Sequence, residues 1–350
     1  NTSATVSNIA NSLKSQLNFA TSSIADALSY GANLSIDQIT NALWNTTFVA
    51  NGRELANVLW NNTSSTVSNI ANSLKSQLNF ATSSIADALS YGANLSIDQI
   101  TNALWNTTFV ANGRELANVL WNNTSATVSN IANSLKSQLN FATSSIADAL
   151  SYGANLSINQ ITSALWNTTF VANGRELANV LWNNTSATVS NIANSLKSQL
   201  NFATSSIADA LSYGANLSTN QITNALWNSA FVADSRQLAN VLWNNTSATA
   251  SNVAHSLKSQ LNFSTNTIAD ALDFGANLSI NQITNALWNT AFVANADELT
   301  QTLWRSTRAT VEQISSAFQA ININISVSQV NNIVSGVTQA VGSFFENLFG

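Results

Sequence analysis

Ser35-Ile-Asp-Gln-Ile-Thr-Asn-Ala-Leu-Trp44 reads as a helix with its start signal attached. The Ser35 hydroxyl can accept from the backbone N–H of Gln38, and the Gln38 side chain can reach back to the backbone of Ser35. Together these make a capping box. Leu34 before the cap and Ile39 at the fourth helical position are the two ends of a hydrophobic staple. Ile36, Ile39 and Leu43 then share one face, with Ala42 beside them. Asn51-Gly-Arg-Glu54 repeats the logic, with Asn51 as cap and Glu54 as its return partner, and Leu55 and Leu59 supply the buried face.

The pattern recurs. Aliphatic pairs four residues apart occur at Ile9/Leu13, Ile24/Leu28, Ile39/Leu43, Leu55/Leu59 and Ile70/Leu74, at intervals of 15, 15, 16 and 15 residues. The near-exact repeat of the sequence is 61 residues long: Asn1 returns as Asn62, Asn123, Asn184 and Asn245. One long repeat therefore holds four short helices. A period near fifteen leaves room for a helix of roughly ten residues and a turn of about five. Helices that short are marginal alone, so each must bury its stripe on neighbours, and short turns make successive helices antiparallel. The expected fold is all-α: an elongated two-layer α-solenoid held mainly by contacts between adjacent units. A β-solenoid would need alternation and regular Gly turns; only Thr46-Thr-Phe-Val49 hints at that.

Repetition overrides the two or three domains that 350 residues would suggest. Five tandem units span 1–61, 62–122, 123–183, 184–244 and 245–305, and residues 306–350 form a partial sixth unit with a terminal helix. The first three are nearly identical and the last two drift, with Thr219 for Ile36, Asp234-Ser235 for Asn51-Gly52, and Ala296-Asp297 for Gly52-Arg53. The anchors stay aliphatic throughout. Near the end, Ala320-Ile-Asn-Ile-Asn-Ile325 alternates and reads as a short strand or an extended connector. After Ser326, apolar spacing through Val330, Ile333, Val334, Val337, Val341, Phe344, Phe345 and Leu348 describes one longer amphipathic helix. Three roles fit it: a terminal cap, a subunit-docking helix, or a membrane-surface helix whose polar face lacks Lys and Arg.

Only 8% of residues are charged, against about 25% in ordinary globular proteins. The net charge of −5 is thinly spread and there is no basic patch, which argues against nucleic-acid binding. Cys is absent, which removes disulfides and thiolate metal sites, and so are Met and Pro. With no initiating Met and Asn1 already in repeat register, the expected reading is a processed or partial product. No apolar run of about eighteen residues is present, so no membrane-spanning helix is expected.

Tryptophan is the most informative residue type. Trp44, Trp60, Trp105, Trp121, Trp166, Trp182, Trp227, Trp243, Trp288 and Trp304 all lie five positions after an anchor, in the third and fourth helices. That is the edge of the buried stripe, suited to packing between hairpins or to an aromatic platform for glycans. Asparagine comes next. Asn33, Asn45, Asn62, Asn94, Asn106, Asn123, Asn155, Asn167, Asn184, Asn216, Asn245 and Asn277 all fit the N-glycosylation acceptor pattern. With 10 Asn and 14 Ser/Thr in the first 61 residues, about two matches per repeat arise by chance and four are seen once Asn1-Thr-Ser3 and Asn61-Asn-Thr63 are counted with Asn33 and Asn45, a mild excess. The competing reading is C-capping and turn formation by Asn.

Catalysis has little support. His255 is the only histidine, on a predicted outer face. Asp26, Asp37 and Glu54 recur along the array rather than converging on one constellation, and read as solvated faces and favourable charge near helix N-termini. No catalytic residue, metal ligand or cofactor is assigned. The expectation is a non-enzymatic structural protein, extracellular or at the cell surface: a fibre or filament subunit joining copies of itself head to tail through Val337, Val341, Phe344, Phe345 and Leu348, with covalent glycans on some Asn. The alternative is a solenoid binding module that recognises a polysaccharide or peptide through its Trp and Asn.

Overall fold

The computed structural model describes residues 5–228 and 230–336. Among the described residues there is no strand, and the chain is a succession of short helices packed on their neighbours, as in a solenoid. Thr46-Thr-Phe-Val49 is a tight turn: the N–H groups of Phe48 and Val49 both donate to the Asn45 carbonyl, and both side chains are buried.

The second repeat shows how each element arises. Its helices are Val67–Leu78, Thr82–Asp87 running on into a π-helical turn Ala88–Gly92, Ile97–Leu104 and Gly113–Asn123. Thr66 caps the first, accepting from Asn69 N–H at 3.2 Å. The capping box of the third forms as read: Gln99 N–H donates to Ser96 Oγ at 3.3 Å and Ser96 N–H to Gln99 Oε1 at 3.0 Å. Each such cap stabilises its helix by about 1 kcal/mol. The fourth departs from expectation. Asn112 accepts from Glu115 N–H at 3.0 Å, but the Glu115 carboxylate returns to the N–H of Ala111 at 2.7 Å, one residue before the cap. The second helix has no side-chain cap; instead Thr82 Oγ1 donates to the Phe109 carbonyl at 2.9 Å, tying it to the turn after the third helix.

Asparagine ends the first two helices. Asn79 and Asn94 take φ of 53° and 52°, a left-handed conformation that few residues besides Gly and Asn adopt readily. The next amides, Phe80 and Leu95, then close back onto the Leu74 and Leu89 carbonyls.

Two compact units divide the chain, residues 1–171 with 183–186 and residues 172–182 with 187–350. Inside each, first and third helices pack along one row and second and fourth along another. In the first unit, Ile36–Leu43, Val67–Leu78 and Ile97–Leu104 follow one another in the first row. In the second unit, Thr219–Leu226, Ala250–Leu261, Ile280–Leu287 and Val311–Ala320 do the same. The predicted anchors lie between the rows: Ile70, Leu74, Ile85, Leu89, Ile100, Leu104, Leu116 and Leu120 are each at most 1% exposed. Full burial of one such side chain stabilises the stack by about 1.5–3 kcal/mol.

The alternating segment before the last helix is not a strand. Residues 321–322 turn, with Asn322 at φ 62°, and 323–326 form a connector without regular structure, with Ile325 buried. A helix follows over 327–336, burying Val330 and Val334. Val337, Val341, Phe344, Phe345 and Leu348 lie outside the described residues.

Candidate functional site

The chemistry of this chain is concentrated where one repeat meets the next. Arg53, in the first turn of the fourth helix, donates from Nε to Asp87 Oδ2 at 2.7 Å and from Nη2 to Oδ1 at 2.6 Å, across 34 residues of sequence. Its guanidinium carbon lies 4.9 Å from the centroid of the Tyr91 ring. The clasp recurs as Arg114–Asp148–Tyr152 and Arg175–Asp209–Tyr213. It recurs again as Arg236–Asp270 with Phe274 in place of Tyr, so the ring face suffices and the phenol is not required. The bond to Asp87 raises the Arg53 pKa, so the cation persists at any ordinary pH. Both partners are substantially exposed, and screening keeps such a pair weak. These aspartates are thus not merely solvated charge near helix N-termini: Asp87 ends its α-helical segment and grips the preceding repeat.

The clasp depends on a close backbone approach. A Cβ at Gly92 would meet the Arg53 carbonyl oxygen at 2.2 Å, and Gly153 and Gly214 meet Arg114 and Arg175 alike. Glycine is needed there for space, since no glycine among the described residues has positive φ. The π-helical turn that carries it inserts an extra residue where the second helix meets the preceding fourth helix, a device common at specialised sites. Gly52 and Gly113 serve a looser contact, with the ring of Phe80 or Phe141 at 2.7 Å.

The tryptophans divide into two sets. Trp44, Trp105, Trp166, Trp227 and Trp288 stand at helix C-caps rather than inside the third helix, with ψ near 74° and 37–38% of their surface exposed. Trp44 and Trp105 pack edge-on to Phe80 and Phe141 of the next repeat, with centroids 5.1 Å apart, and Trp227 does the same to Phe263. Trp60, Trp121, Trp182 and Trp243 lie in the fourth helices and are half-buried, while Trp304 is exposed. Beside two of these clasps runs a cleft. One of about 460 Å³ is lined by Asn112, Gly113, Arg114, Phe141, Ser145, Asp148 and Ala149, and the second unit repeats it at Asn173, Arg175, Phe202, Ser206 and Asp209.

The candidate acceptor asparagines fall into three groups. Asn33, Asn94, Asn155, Asn216 and Asn277 are exposed and left-handed at helix ends. Asn45, Asn106 and Asn167 are exposed and open a turn, with Oδ1 accepting from the amide two residues on. Asn62, Asn123, Asn184 and Asn245 are half-buried. Nδ2 of Asn62, Asn123 and Asn245 donates to the carbonyl four residues back, and the Thr after each is buried with its hydroxyl likewise engaged.

His255 bonds through Nδ1 to the Ser251 carbonyl oxygen at 2.9 Å and lies edge-on to Phe292. Among the described residues no three His, Cys, Asp or Glu are grouped to hold a metal ion, and no helix is long and apolar enough to cross a membrane. No protein-family model, no curated protein and no solved structure matches the chain.

Proposed function

We propose that the chain is a non-enzymatic structural protein, a repeat-built fibre or surface filament subunit that works outside the cell by joining copies of itself. The observation that carries this reading is the sameness of the junctions. Four successive Arg–Asp clasps keep the same bonding pattern, with Nε···Oδ2 at 2.7 Å in each. A junction that can be reused without adjustment lets length be set by copy number. Sparse charge and an Asn-, Ser- and Thr-rich exterior suit surroundings of variable salt and pH. The exposed Asn33 and Asn45 series are the stronger candidates for attached glycan, because the Asn62 series spends its amide on the helix. Negative-stain electron microscopy of the purified chain should show filaments; isolated particles at all concentrations would refute the reading.

The recurrent cleft favours a second reading, a module that binds a polysaccharide or peptide. It offers an aromatic ring, a neutralised Arg–Asp pair and a hydroxyl within about 460 Å³, within the usual range for small-ligand sites of about 300–1,000 Å³. Trp fluorescence that responds to added glycans would favour it over the filament.

A further inference from the structure

Four junctions share one polar contact, and the fifth replaces both halves of it. Ser29, Ser90, Ser151 and Ser212 accept through Oγ from the backbone N–H of Ser64, Ser125, Ser186 and Ser247, 35 residues on. At the fifth junction the positions hold Asp273 and Arg308. The Arg308 backbone N–H donates to Asp273 Oδ2 at 2.6 Å, its Nε to Oδ1 at 3.0 Å, and its Nη2 to the Asp273 carbonyl at 2.9 Å. The Asp273 side chain is only 3% exposed. The same guanidinium lies 5.0 Å from the Phe274 centroid, a ring already under Arg236 at 4.8 Å. A second contact changes with it. Ser134 and Ser256 donate to Thr101 and Thr223, whereas Ala317 stands at that position beneath Thr284, whose Oγ1 has no partner.

Near-identical tandem copies carry a hazard: the leading face of one unit fits the trailing face of any other, so attraction alone does not fix the order. We infer that Asp273 and Arg308 form a matched pair that addresses the segment 307–336 to the fifth repeat and to no other. On the fourth repeat, Arg308 would face Ser212 and lose its carboxylate. An interior unit on the fifth repeat would bring a serine to Asp273 and leave that carboxylate buried without its cation, the costlier error. The fifth repeat therefore accepts a segment of this chain with arginine at that position, from its own chain or from a second copy.

The test refolds the full-length chain from denaturant and reads it by hydrogen-exchange mass spectrometry and light scattering. In register, the fifth repeat and residues 307–336 are protected together. Out of register, 307–336 are protected while 245–305 exchange freely, or a dimer forms. The double variant Ser212→Asp/Ser247→Arg installs the same pair one repeat earlier. It should raise the out-of-register or dimeric fraction about tenfold, the scale set by coupling between contacting residues. Asp273→Ser/Arg308→Ser, which gives the last junction the serine pair of the other four, should raise it in the same direction while residues 62–183 stay protected. If the first variant refolds more uniformly than the parent and the second only frays at 307–336, the pair is simple reinforcement and the inference fails. Arg308→Ser alone strands Asp273 and should abolish protection of 307–336; unchanged protection there also overturns it.

Discussion

At the junction between the second and third repeats, Arg114 clasps Asp148 and lies over Tyr152, and Ser134 donates to Thr101. At the last junction the matching positions hold Asp297, Asn331, Ser335 and Ala317, and the ion pair has moved to Asp273 and Arg308. The aromatic contact has moved too: Trp288 meets Phe318, which occupies an anchor position, while Asn324 replaces the usual Phe. Yet Val311–Ala320 packs on Ile280–Leu287 across the last junction as Val128–Leu139 packs on Ile97–Leu104 across the earlier one. The aliphatic seam sets the stack, and the polar contacts at its edge decide which unit goes where.

That division can be broken by substitution, read by denaturant unfolding with local hydrogen exchange, since a repeat array need not unfold in one step. The largest effect is expected at the interior close approach. Gly153→Ala puts a methyl against the Arg114 carbonyl and should destabilise by about 3 kcal/mol, the upper end for overpacking. An effect near zero would mean that the repeats are not pressed together there. Next comes Ser134→Ala, which gives an interior junction the orphaned threonine of the terminal one and should cost about 1–2 kcal/mol. Its mirror, Ala317→Ser, supplies Thr284 with a donor and should gain up to about 1 kcal/mol. If both changes move stability the same way, the comparison between the junctions is wrong. Gly31→Ala has nothing within 4 Å of the new Cβ and should be neutral or stabilising by about 0.5 kcal/mol, opposite in sign to Gly153→Ala in the same local sequence. The smallest effect belongs to Asp148→Asn, which weakens an exposed, screened pair and should barely shift the midpoint at moderate salt.

The all-helical stack and the caps at Ser96 and Asn112 were legible in the sequence, because each is a pattern within about fifteen residues. The clasp was not. Arg114 and Asp148 are 34 residues apart, and each taken alone resembles surface charge; only the packed rows bring them together. The return bond of Glu115 to Ala111 rather than Asn112 is a matter of backbone path at the cap, which residue type does not fix. Glycine at 92 and 153 carries a spatial demand from the preceding repeat, and nothing in its own helix announces that or the π-helical turn. A signal was nonetheless present in the drift across the last junction, where Arg, Asp, Tyr and Ser change together at Asp297, Asn331, Ser335 and Ala317. Residues that depart as a group meet in space. The proposed glycan platforms and acceptor sites have no such internal signal, because a ligand outside the chain leaves no partner within it.

The central claim is that the first four repeats are interchangeable units, each held chiefly by its neighbours. Deleting residues 123–183 tests it most directly, since the cut joins Asn122 to Asn184 in register and the new junction has the same Arg, Asp, Tyr and Gly as the old. The shortened chain should keep the helical circular dichroism signal per residue and unfold at nearly the parent's denaturant concentration. Loss of helical signal, or collapse to an aggregate, would contradict the account.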